Sequence, residues 1–264
     1  MTTNIYQALS EIEKNNEAAA LCTVVHSEGS TPRHVGSKML IYPSGRFIGT
    51  VGGGELESRV IKAALESLTN GQPQNLSYTM ADPARGDPGV CGGTVEVFVE
   101  PILPSATIVV IGGGHVGKAV VHLAKWLGFR VAVSDDRTEF CNPESVPGAD
   151  AYYPVLMAEL PNQLKVTPQT YLVVTSRGSG IDAAGMPSLL GSEAGYIGVI
   201  GSKRRWLTTV KALKEKGVPE EQIAKVHSPM GLELHAETPE EIAVSIMAEI
   251  LMLRNKGTGK MMKE

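Results

Sequence analysis

The chain has 264 residues with 42% hydrophobic and 20% charged content, which is ordinary for one large or two medium-sized globular domains. Its net charge of -4 leaves no basic surface for nucleic acid, and its longest apolar run is too short and too polar to cross a membrane. The first residues carry no signal-peptide pattern, and three widely spaced cysteines argue against disulfides or structural zinc. We therefore expect a protein of the reducing cytoplasm.

The first hundred residues predict a small mixed domain. Apolar residues at helical spacing from Ile5 to Ile12 indicate an opening helix, and residues 55–68 indicate a second one. Strands are expected over residues 19–26, 38–42, 47–51, 75–80 and 94–100. The proline-rich segment 101–104 is the expected linker. These features predict a mixed α+β N-terminal domain over residues 1–103 with a largely antiparallel sheet.

From residue 104 onward, predicted strands and helices alternate. Strands are expected over residues 108–111, 130–134, 150–153, 171–175, 196–200 and 224–227. Helices are expected over residues 116–127, 203–216 and 239–253. Thr238 and Glu241 have the spacing of a capping box at the start of the last helix. Because such alternation produces parallel sheets, the predicted fold class is α/β, with a Rossmann-like doubly wound parallel-sheet domain over residues 104–264.

Three glycines follow the first strand of this second domain. Gly112, Gly114 and Gly117 form a G-x-G-x-x-G pattern, in which the glycines permit a tight turn, close approach to a pyrophosphate and helix packing. Asp135 follows the second strand, where an acidic side chain can bond a ribose hydroxyl and favours an unphosphorylated ribose; nearby Arg137 weakens that preference. The pattern predicts dinucleotide-type binding. The alternative is a Rossmann-like fold whose site is empty or altered.

Three further side chains are expected at the mouth of the same cleft. His115 lies inside the glycine turn, Arg177 follows the fourth strand, and Lys203 follows the fifth. Open α/β sheets place ligands at the carboxyl ends of their strands, so Arg177 and Lys203 are candidates for anionic contacts. The alternatives are a solvent-facing turn residue for His115 and a solvated helical turn for Lys203.

The first domain contains three loops rich in glycine and polar residues. Arg33, in the first loop, has a guanidinium suited to bidentate phosphate recognition. Gly52, Gly53 and Gly54, followed by Glu55, lie at a strand-to-helix junction, where backbone N–H groups can form an anion nest. Each loop alone is more often an ordinary turn. Together they predict a site for a phosphate- or pterin-type ligand.

Cys91 lies in the third of these loops, ahead of two glycines. An exposed thiolate there can serve in sulfur transfer or metal ligation, so Cys91 is the candidate catalytic residue. The alternative is an inert small residue. Cys22 lies in an apolar strand and is expected in the core, while Cys141 has no partner in view. No H-E-x-x-H or paired-cysteine spacing predicts a metal site, and no Tyr-x-x-x-Lys pair indicates a short-chain dehydrogenase.

Seven motifs together resemble one family. In chain order they read GSTPRHVGSKML, GTVGGGELE, CGGTVEVFVEP, IGGGHVGKAV, VSDDRTEF, YIGVIGSKRR and SPMGLELHAETPEEIAVSIMAEI. They look like the XdhC/CoxI family, the accessory factors of xanthine dehydrogenase and related molybdenum hydroxylases. The resemblance covers nearly the whole chain and is far more specific than the Rossmann glycines alone.

The resemblance implies a cofactor chaperone rather than a turnover enzyme. Such a protein would bind molybdenum cofactor, as molybdopterin or its dinucleotide form, and protect it. It would support sulfuration of the cofactor by a cysteine desulfurase and deliver it to an apo-hydroxylase. Family members are two-domain proteins and tend to dimerise, so the resemblance also implies a homodimer.

Two positions depart from the family pattern. Some members have cysteine where this chain has Glu55, so thiol chemistry there is excluded and Cys91 becomes the better candidate. His235 stands where glycine is frequent, which leaves its local contact open. The sequence leaves two other hypotheses: an NAD-dependent oxidoreductase, and a nucleotide-sensing regulatory subunit that uses the Rossmann cleft. It does not decide between NAD and the cofactor's nucleotide in that cleft.

Overall fold

The structure is a computed structural model that describes residues 4–79 and 92–263. The chain divides into two compact units, Met1–Pro104 and Ser105–Glu264, which we call the N unit and the C unit. Cys91 lies outside the described residues. Among the helices of the described ranges, none combines the length and apolar character needed to cross a membrane.

The N unit is an antiparallel sheet with two helices. Its helices are α1 (Ile5–Asn15) and α2 (Gly54–Asn70), and its strands are β1 (Ala19–Glu28), β2 (Lys38–Ile41), β3 (Phe47–Gly49), β4 (Gln74–Thr79) and β5 (Thr94–Ile102). The strand order is β3-β2-β1-β5-β4, and all neighbours are antiparallel. Strand β5 runs into the segment expected to be a linker, because Ile102 pairs with Ala19 on β1.

Both faces of the sheet in the N unit are partly buried, one by α2 and the other by α1. Side chains alternate along a strand, so Cys22 and Val24 of β1 share a cluster with Val60 of α2 on one face. On the other face, Ala19 of β1 packs with Ile12 of α1. Cys22 is fully buried, as expected, and burial raises the pKa of its thiol to about 12. It is therefore a core residue without a reactive thiolate.

The C unit is a parallel sheet with helices on both faces. Its strands are β6 (Thr107–Ile111), β7 (Arg130–Ser134), β8 (Ala151–Tyr153), β9 (Thr170–Val174), β10 (Tyr196–Val199) and β11 (Val226–His227). Its helices are α3 (His115–Trp126), α4 (Leu160–Gln163), α5 (Ser179–Leu190), α6 (Lys203–Glu215), α7 (Glu220–Ile223) and α8 (Pro239–Arg254). The strand order is β11-β10-β9-β6-β7-β8, which confirms the predicted doubly wound fold.

The order of the strands creates one special position in this sheet. The chain builds outward from β6 through β7 to β8, then crosses back to β9 and continues to the other edge. Strands β6 and β9 are therefore neighbours whose following helices lie on opposite faces, α3 with α8 and α5 with α6. Both strands are buried along their whole length. Their carboxyl ends form the switch point at which open α/β sheets bind ligands.

Helix α5 has no counterpart among the sequence-based predictions. Apolar and small residues are spread around all sides of this helix, so it lacks a polar face. It also carries Pro187 in its interior. Helical periodicity therefore gives no signal, although Met186 and Leu189 are buried against the sheet. Helix α8 is the opposite case: Thr238 and Glu241 form both bonds of the predicted capping box.

Candidate functional site

The turn between β6 and α3 requires glycine for steric reasons. Gly112 has a φ of +118°, and a Cβ there would lie 2.6 Å from the carbonyl oxygen of Thr175 on the neighbouring strand end. A Cβ on Gly117 would overlap the carbonyl oxygen of Gly112. Helix α3 therefore packs closely against the turn only because both positions lack a side chain.

Helix α3 begins with an open N-terminus. Gly114 is its N-cap residue, forms no side-chain cap, and has open space where a Cβ would stand. The first N–H groups of a helix have no intrahelical acceptor, and with the helix dipole they attract anions. His115 is exposed at the first position of the helix and does not line the adjoining cavity. Room for a phosphate therefore exists at Gly114.

A cavity of about 310 Å³ lies beside this turn, at the switch point. The side next to the glycine turn is formed by Ile111, Gly112, Gly114, residues 134–137 and residues 175–177, and it carries the polar groups. Its apolar side is formed by residues 155–158, which follow β8, and by Gly180, Ile181, Ala184 and Gly185 of α5. The cavity thus joins an anion-attracting turn to an apolar slot.

The carboxylate of Asp135 is already saturated with hydrogen bonds. Its Oδ1 accepts from the backbone N–H and Nε–H of Arg137 at 3.0 and 2.9 Å. Its Oδ2 accepts from the N–H of Gly113 at 3.0 Å and from Nη2 of Arg137 at 2.9 Å. Two carboxylate oxygens offer about four acceptor sites, so a ribose hydroxyl would find none vacant. The expected ribose contact of Asp135 would need Arg137 to withdraw.

The hydrogen bonds from Arg137 and Gly113 favour the charged form of the Asp135 carboxylate. Burial raises the pKa of Asp135, but the hydrogen bonds from Arg137 and from the N–H of Gly113 outweigh it, so the pKa lies below its usual value. Arg137 also lies over the ring of Phe140, with its guanidinium carbon 3.8 Å from the ring centre. The side chains of Asp135 and Arg137 therefore form a charged pair that ties the end of β7 to the glycine turn.

Asp136 and Arg177 form a second pair at the cavity, and this one is open to solvent. Nη2 of Arg177 donates to both carboxylate oxygens of Asp136 at 2.9 Å, and the Arg177 and Asp136 side chains are 45% and 37% exposed, respectively. Asp136 follows β7 and Arg177 follows β9, on either side of β6. The pair therefore bridges the two strand ends that flank the switch point.

A third polar network holds the loop after β9. Asp182 of α5 is fully buried; its Oδ1 accepts from the hydroxyl of Ser176, and its Oδ2 accepts from Nη2 of Arg205 at 2.7 Å. Nη2 of Arg205 also donates to the carbonyl oxygen of Ser176 at 3.1 Å. Arg205 thereby links α6, α5 and the loop that carries Arg177. The neighbouring Lys203, by contrast, is exposed and does not line the cavity.

Ser134 is a buried hydroxyl without a partner. Among the described residues, its Oγ finds no hydrogen-bond partner, although the residue is fully buried and lines the cavity. Strand side chains alternate, and Ala132, two residues earlier, packs in the cluster beneath α5 together with Met157. Ser134 therefore lies on the face of the sheet that carries the cavity.

In the N unit, the first glycine-rich loop contacts the glycine junction and the described end of the third loop. A Cβ on Gly52 would lie 2.7 Å from Cγ of Pro32, which places the junction against the loop that contains Arg33. Gly93, at the end of the third loop, packs so closely on the first that a Cβ there would lie 2.7 Å from Cγ2 of Thr31. The first loop is therefore in contact with the junction at Gly52 and with Gly93. Arg33 is exposed in this loop cluster.

The glycine junction itself already holds one carboxylate. Glu57 of α2 accepts from the hydroxyl of Thr50 and from the N–H of Val51, the latter at 3.3 Å. That carboxylate bonds the two residues before the three glycines, and the N–H of Gly52 donates to the hydroxyl of Thr50 at 3.2 Å. Gly53 and Gly54 have positive φ values of 85° and 61° and open space where a Cβ would stand, so their outer side stays accessible. Glu55 is exposed beside them and pairs with Arg59 at 3.1 Å.

A largely buried cluster lies near one edge of the sheet of the C unit. Glu249 of α8 accepts from the hydroxyl of Tyr196 at 2.7 Å, from the N–H of Gly231 at 2.6 Å and from Nδ1 of His227 at 2.9 Å. Burial raises the pKa of Glu249, but these hydrogen bonds outweigh it and hold the pKa below its usual value. The cluster fastens the segment after β11 onto α8, and none of its residues lines the cavity.

Sequence reasoning missed several residues of these sites. Ser134, Asp136 and Arg205 lie close in sequence to residues that it selected, and their positions at or soon after the ends of parallel strands offered a signal. Asp182 offered none, because α5 itself was not predicted. Within the described ranges, no group of three or more His, Cys, Asp or Glu side chains is placed to hold a metal ion.

The fold and the sites define an α/β protein with a Rossmann-type ligand cleft that follows a small α+β unit. Two family models match it: the XdhC Rossmann domain over residues 108–250, and the XdhC and CoxI family over residues 13–79. The chain belongs to the XdhC/CoxI family. These matches confirm the family and the fold class predicted from the sequence.

The chain is also similar in sequence to three curated proteins. It is 34% identical over 267 residues to the uncharacterized protein YqeB of Escherichia coli, covering 98% of this chain but 48% of YqeB. The chain therefore spans about half the length of that relative. It is 25% identical over 331 residues to a Bacillus subtilis protein described as a probable xanthine dehydrogenase subunit, covering 96% of this chain and 98% of that protein. It is 20% identical over 271 residues to the molybdenum cofactor insertion chaperone PaoD of Escherichia coli, covering 91% and 85%.

One solved structure shares the fold. A protein of Bacillus halodurans described as a xanthine dehydrogenase superposes with a TM-score of 0.52 at 22% identity, and the match covers 97% of each chain. At this identity the likeness speaks for the fold alone. The chain is thus similar to a probable xanthine dehydrogenase subunit and to a molybdenum cofactor insertion chaperone.

Proposed function

We propose that this chain is an accessory factor that binds molybdenum cofactor and inserts it into a molybdenum hydroxylase of the xanthine dehydrogenase type. The cofactor is cargo here rather than a resident group. The observation that carries the proposal is the packing of the first glycine-rich loop against the glycine junction and against Gly93 in the N unit of an XdhC/CoxI family chain. The similarity of this chain to a molybdenum cofactor insertion chaperone supports the choice of cargo.

The loop cluster fits a pterin that bears a phosphate. Gly53 and Gly54 present accessible backbone at the start of α2, and Arg33 supplies an exposed cation in the adjoining loop. Backbone N–H groups at a helix N-terminus and a guanidinium are common phosphate ligands. The N–H of Gly52 is already bonded to the hydroxyl of Thr50, so the ligand would use the outer side, at Gly53 and Gly54.

Sulfuration of the cargo is the second part of the proposal. The cargo would receive sulfur from a cysteine desulfurase while it is held by this chain, and Cys91 is the proposed thiol for that step. Cys91 directly precedes Gly92 and Gly93 in the chain. Glu55 excludes the thiol that some family members carry at the glycine junction. A homodimer is proposed on family grounds alone.

An NAD-dependent oxidoreductase is not proposed. The carboxylate that should bind the ribose of NAD, that of Asp135, is filled by Arg137 and by the N–H of Gly113. The relatives support molybdenum cofactor rather than NAD as the cofactor involved.

The test is a titration of the purified protein with molybdenum cofactor released from a molybdoenzyme, followed by transfer to an apo-hydroxylase. We expect Arg33→Gln to weaken binding about tenfold, as loss of one charged phosphate contact would. Arg46→Gln is the matched control, because Arg46 is exposed in the β2–β3 turn of the same unit and stacks on Tyr42. Cys91→Ala should bind the cofactor normally and fail to yield active hydroxylase when a desulfurase is supplied.

Two results would overturn this proposal. One is wild-type protein that neither retains the cofactor nor raises the activity of the hydroxylase. The other is equal behaviour of the Arg33→Gln and Arg46→Gln variants, which would move the cargo away from the loop cluster.

A further inference from the structure

Helix α8 has an apolar outer side that the C unit leaves partly exposed. Its inner side packs in the cluster that it shares with α3, through buried residues such as Ile246 and Ile250. Positions three or four apart lie along one side of a helix, so Val244, Ala248 and Leu251 form a row on another side, which we call the outer row. Val244 is 49% exposed, and the other two are partly exposed. Because a helix that is apolar on all sides is normally buried on all sides, the outer row is a candidate contact surface.

The charged residues of α8 stand mainly at its two ends. Glu240 and Glu241 lie in the first turn, whereas Arg254 ends the helix and is followed by the exposed Lys256. Between Glu241 and Arg254 the sequence has one charged residue, Glu249, and its carboxylate is bonded within the cluster near the sheet edge. The outer row is therefore uncharged and lies between an acidic start and a basic end.

This charge pattern is complementary to itself in one arrangement. If two copies of α8 pack antiparallel about a two-fold axis at Ala248, residues equally far from Ala248 on opposite sides meet each other. Glu240 then meets Lys256 of the second copy, and Val244 meets the partly exposed Met252. The small side chain of Ala248 lets the two backbones approach at the axis. A parallel pair would instead place Glu240 against Glu240, so the charges favour the antiparallel arrangement.

The end of α3 extends the same surface. Trp126, in the last turn of α3, is 79% exposed and lies on the side opposite to the buried Ala124. The ends of α3 and α8 are neighbours, because the guanidinium of Arg254 lies over the ring of Phe129, 5.0 Å from its centre. A stable interface buries about 800 Å² on each partner, to which one tryptophan adds about 150–250 Å². Trp126 therefore supplies apolar area beyond that of a single pair of helices.

Other occupants fit this surface less well than a second copy of the chain. An anionic membrane would be repelled by Glu240 and Glu241 and by the net charge of -4. A different protein would need a basic and an acidic group at the spacing of the two ends of α8. A second copy supplies both groups and the apolar row between them.

From these features we propose that two copies of the chain pack through α8 and the end of α3, with the two α8 helices antiparallel about an axis at Ala248. The outer rows form the centre of the contact, the Trp126 side chains extend it, and pairs of Glu240 with Lys256 form its rim. The proposal deepens the homodimer proposed above, on which it rests, by naming the surface and the orientation of the two copies.

The test is analytical ultracentrifugation of the full chain over a range of protein concentrations. We expect the wild type to sediment with twice the chain mass of 28.0 kDa. Its dimer should have a Kd below about 10 μM. Val244→Glu should raise this Kd at least about tenfold, because it places a carboxylate against the apolar row of the second copy. Leu207→Glu is the matched control and should leave the Kd unchanged, since Leu207 is 68% exposed on α6, outside the proposed contact.

An exchange of charges tests the orientation. Glu240→Lys and Lys256→Glu should each weaken the dimer about tenfold, because each places like charges together at two symmetry-related positions. The double variant should regain the affinity of the wild type, since the opposite charges meet again in an antiparallel pair. Val244, Glu240 and Lys256 are all exposed, so folding is retained, and far-UV circular dichroism checks it.

Three results would overturn the proposal. The first is a wild-type protein that stays monomeric at about 100 μM, which would also remove the homodimer from the proposed function. The second is a Val244→Glu dimer as tight as that of Leu207→Glu, which would mean that the copies meet elsewhere and that a different protein covers the outer row. The third is a double charge variant no tighter than its single parents. The last two leave the homodimer standing, and the titration with molybdenum cofactor described above tests cargo binding separately.

Discussion

Arg205 donates through Nη2 to Oδ2 of Asp182 at 2.7 Å, and this contact joins α6 to α5 beside the cleft. Asp182 is fully buried, whereas 22% of the Arg205 side chain is exposed. The same nitrogen bonds the carbonyl oxygen of Ser176 at 3.1 Å, so one guanidinium also fixes the loop that leads to Arg177. The pair is therefore structural support for the cleft.

Removing one partner of this pair should destabilise the protein strongly. Arg205→Ala leaves the carboxylate of Asp182 buried without its cation, and breaking a buried pair in this way costs about 3–5 kcal/mol. Urea unfolding followed by circular dichroism measures the loss. Lys203→Ala, on the exposed face of the same helical turn, should change stability by less than about 0.5 kcal/mol. Equal stability of the two variants would show that the Arg205–Asp182 pair adds nothing to the free energy of unfolding.

Gly117 and Gly114 make a matched pair for a second prediction. A Cβ on Gly117 would overlap the carbonyl oxygen of Gly112, so Gly117→Ala must displace α3 from the turn. We expect it to cost about 1–3 kcal/mol, as overpacking does. Gly114→Ala meets open space at a φ of -72°, which alanine adopts freely, so its stability should stay near the wild-type value.

The two variants differ again in ligand binding. The added methyl of Gly114→Ala lies at the N-terminus of α3, where a phosphate would approach. Nucleotide affinity should therefore fall without loss of fold. Thermal unfolding and nucleotide titration of both variants check this. A Gly114→Ala protein that binds nucleotide like wild type would place the phosphate elsewhere.

Much of this architecture was predictable from the sequence, and the exceptions have physical causes. Buried parallel strands such as Thr107–Ile111 and Thr170–Val174 consist of consecutive apolar or β-branched residues bounded by glycine or polar turns, so they stand out. Helix α5 does not stand out, because its apolar and small residues are spread over all of its sides and its hydrophobicity therefore shows no helical periodicity. The local rules of strands, caps and turns therefore identified the strands of the parallel sheet, but not the order in which they lie side by side.

Partner choice within the sites was harder to predict. The sequence SDDR after β7 does not reveal that Asp135 folds back on Arg137 while Asp136 reaches across to Arg177. Both outcomes depend on which side chain is buried by the glycine turn, and burial is set by tertiary packing. Similarly, the glycines at residues 52–54 indicated an anion nest, but not that the N–H of Gly52 donates to the hydroxyl of Thr50.

Glu249 should be intolerant of even an isosteric change. In Glu249→Gln one end of the side chain becomes a donor, and it would face a group that already donates: Tyr196, Gly231 or His227. We expect a loss of about 1–3 kcal/mol, measured by urea unfolding. Glu215→Gln is the control, since Glu215 is exposed at the end of α6. A Glu249→Gln protein as stable as this control would mean that the cluster does not hold the segment after β11.

The Asp135–Arg137 pair makes stability depend on acid pH. Hydrogen bonds from Arg137 and Gly113 outweigh the effect of burial and keep the pKa of Asp135 lower in the folded protein than in the unfolded chain. The unfolded chain, with a pKa of about 3.9, therefore binds a proton first as the pH falls. The stabilising contribution is complete well above that value and is lost progressively below about pH 4.

Asp135→Asn isolates this contribution. At pH 7 the variant should be about 1.5–3 kcal/mol less stable than wild type, because it loses charge-assisted hydrogen bonds to a buried acceptor. The difference should shrink as the pH falls below about 4, where the wild-type carboxylate also becomes protonated. Urea unfolding of both proteins at pH 7, 5, 4 and 3 measures it, and Asp150 and Glu249, whose pKa values are also lowered, contribute equally to both curves. A difference between the two proteins that does not change with pH would show that the charge of Asp135 does not stabilise the fold.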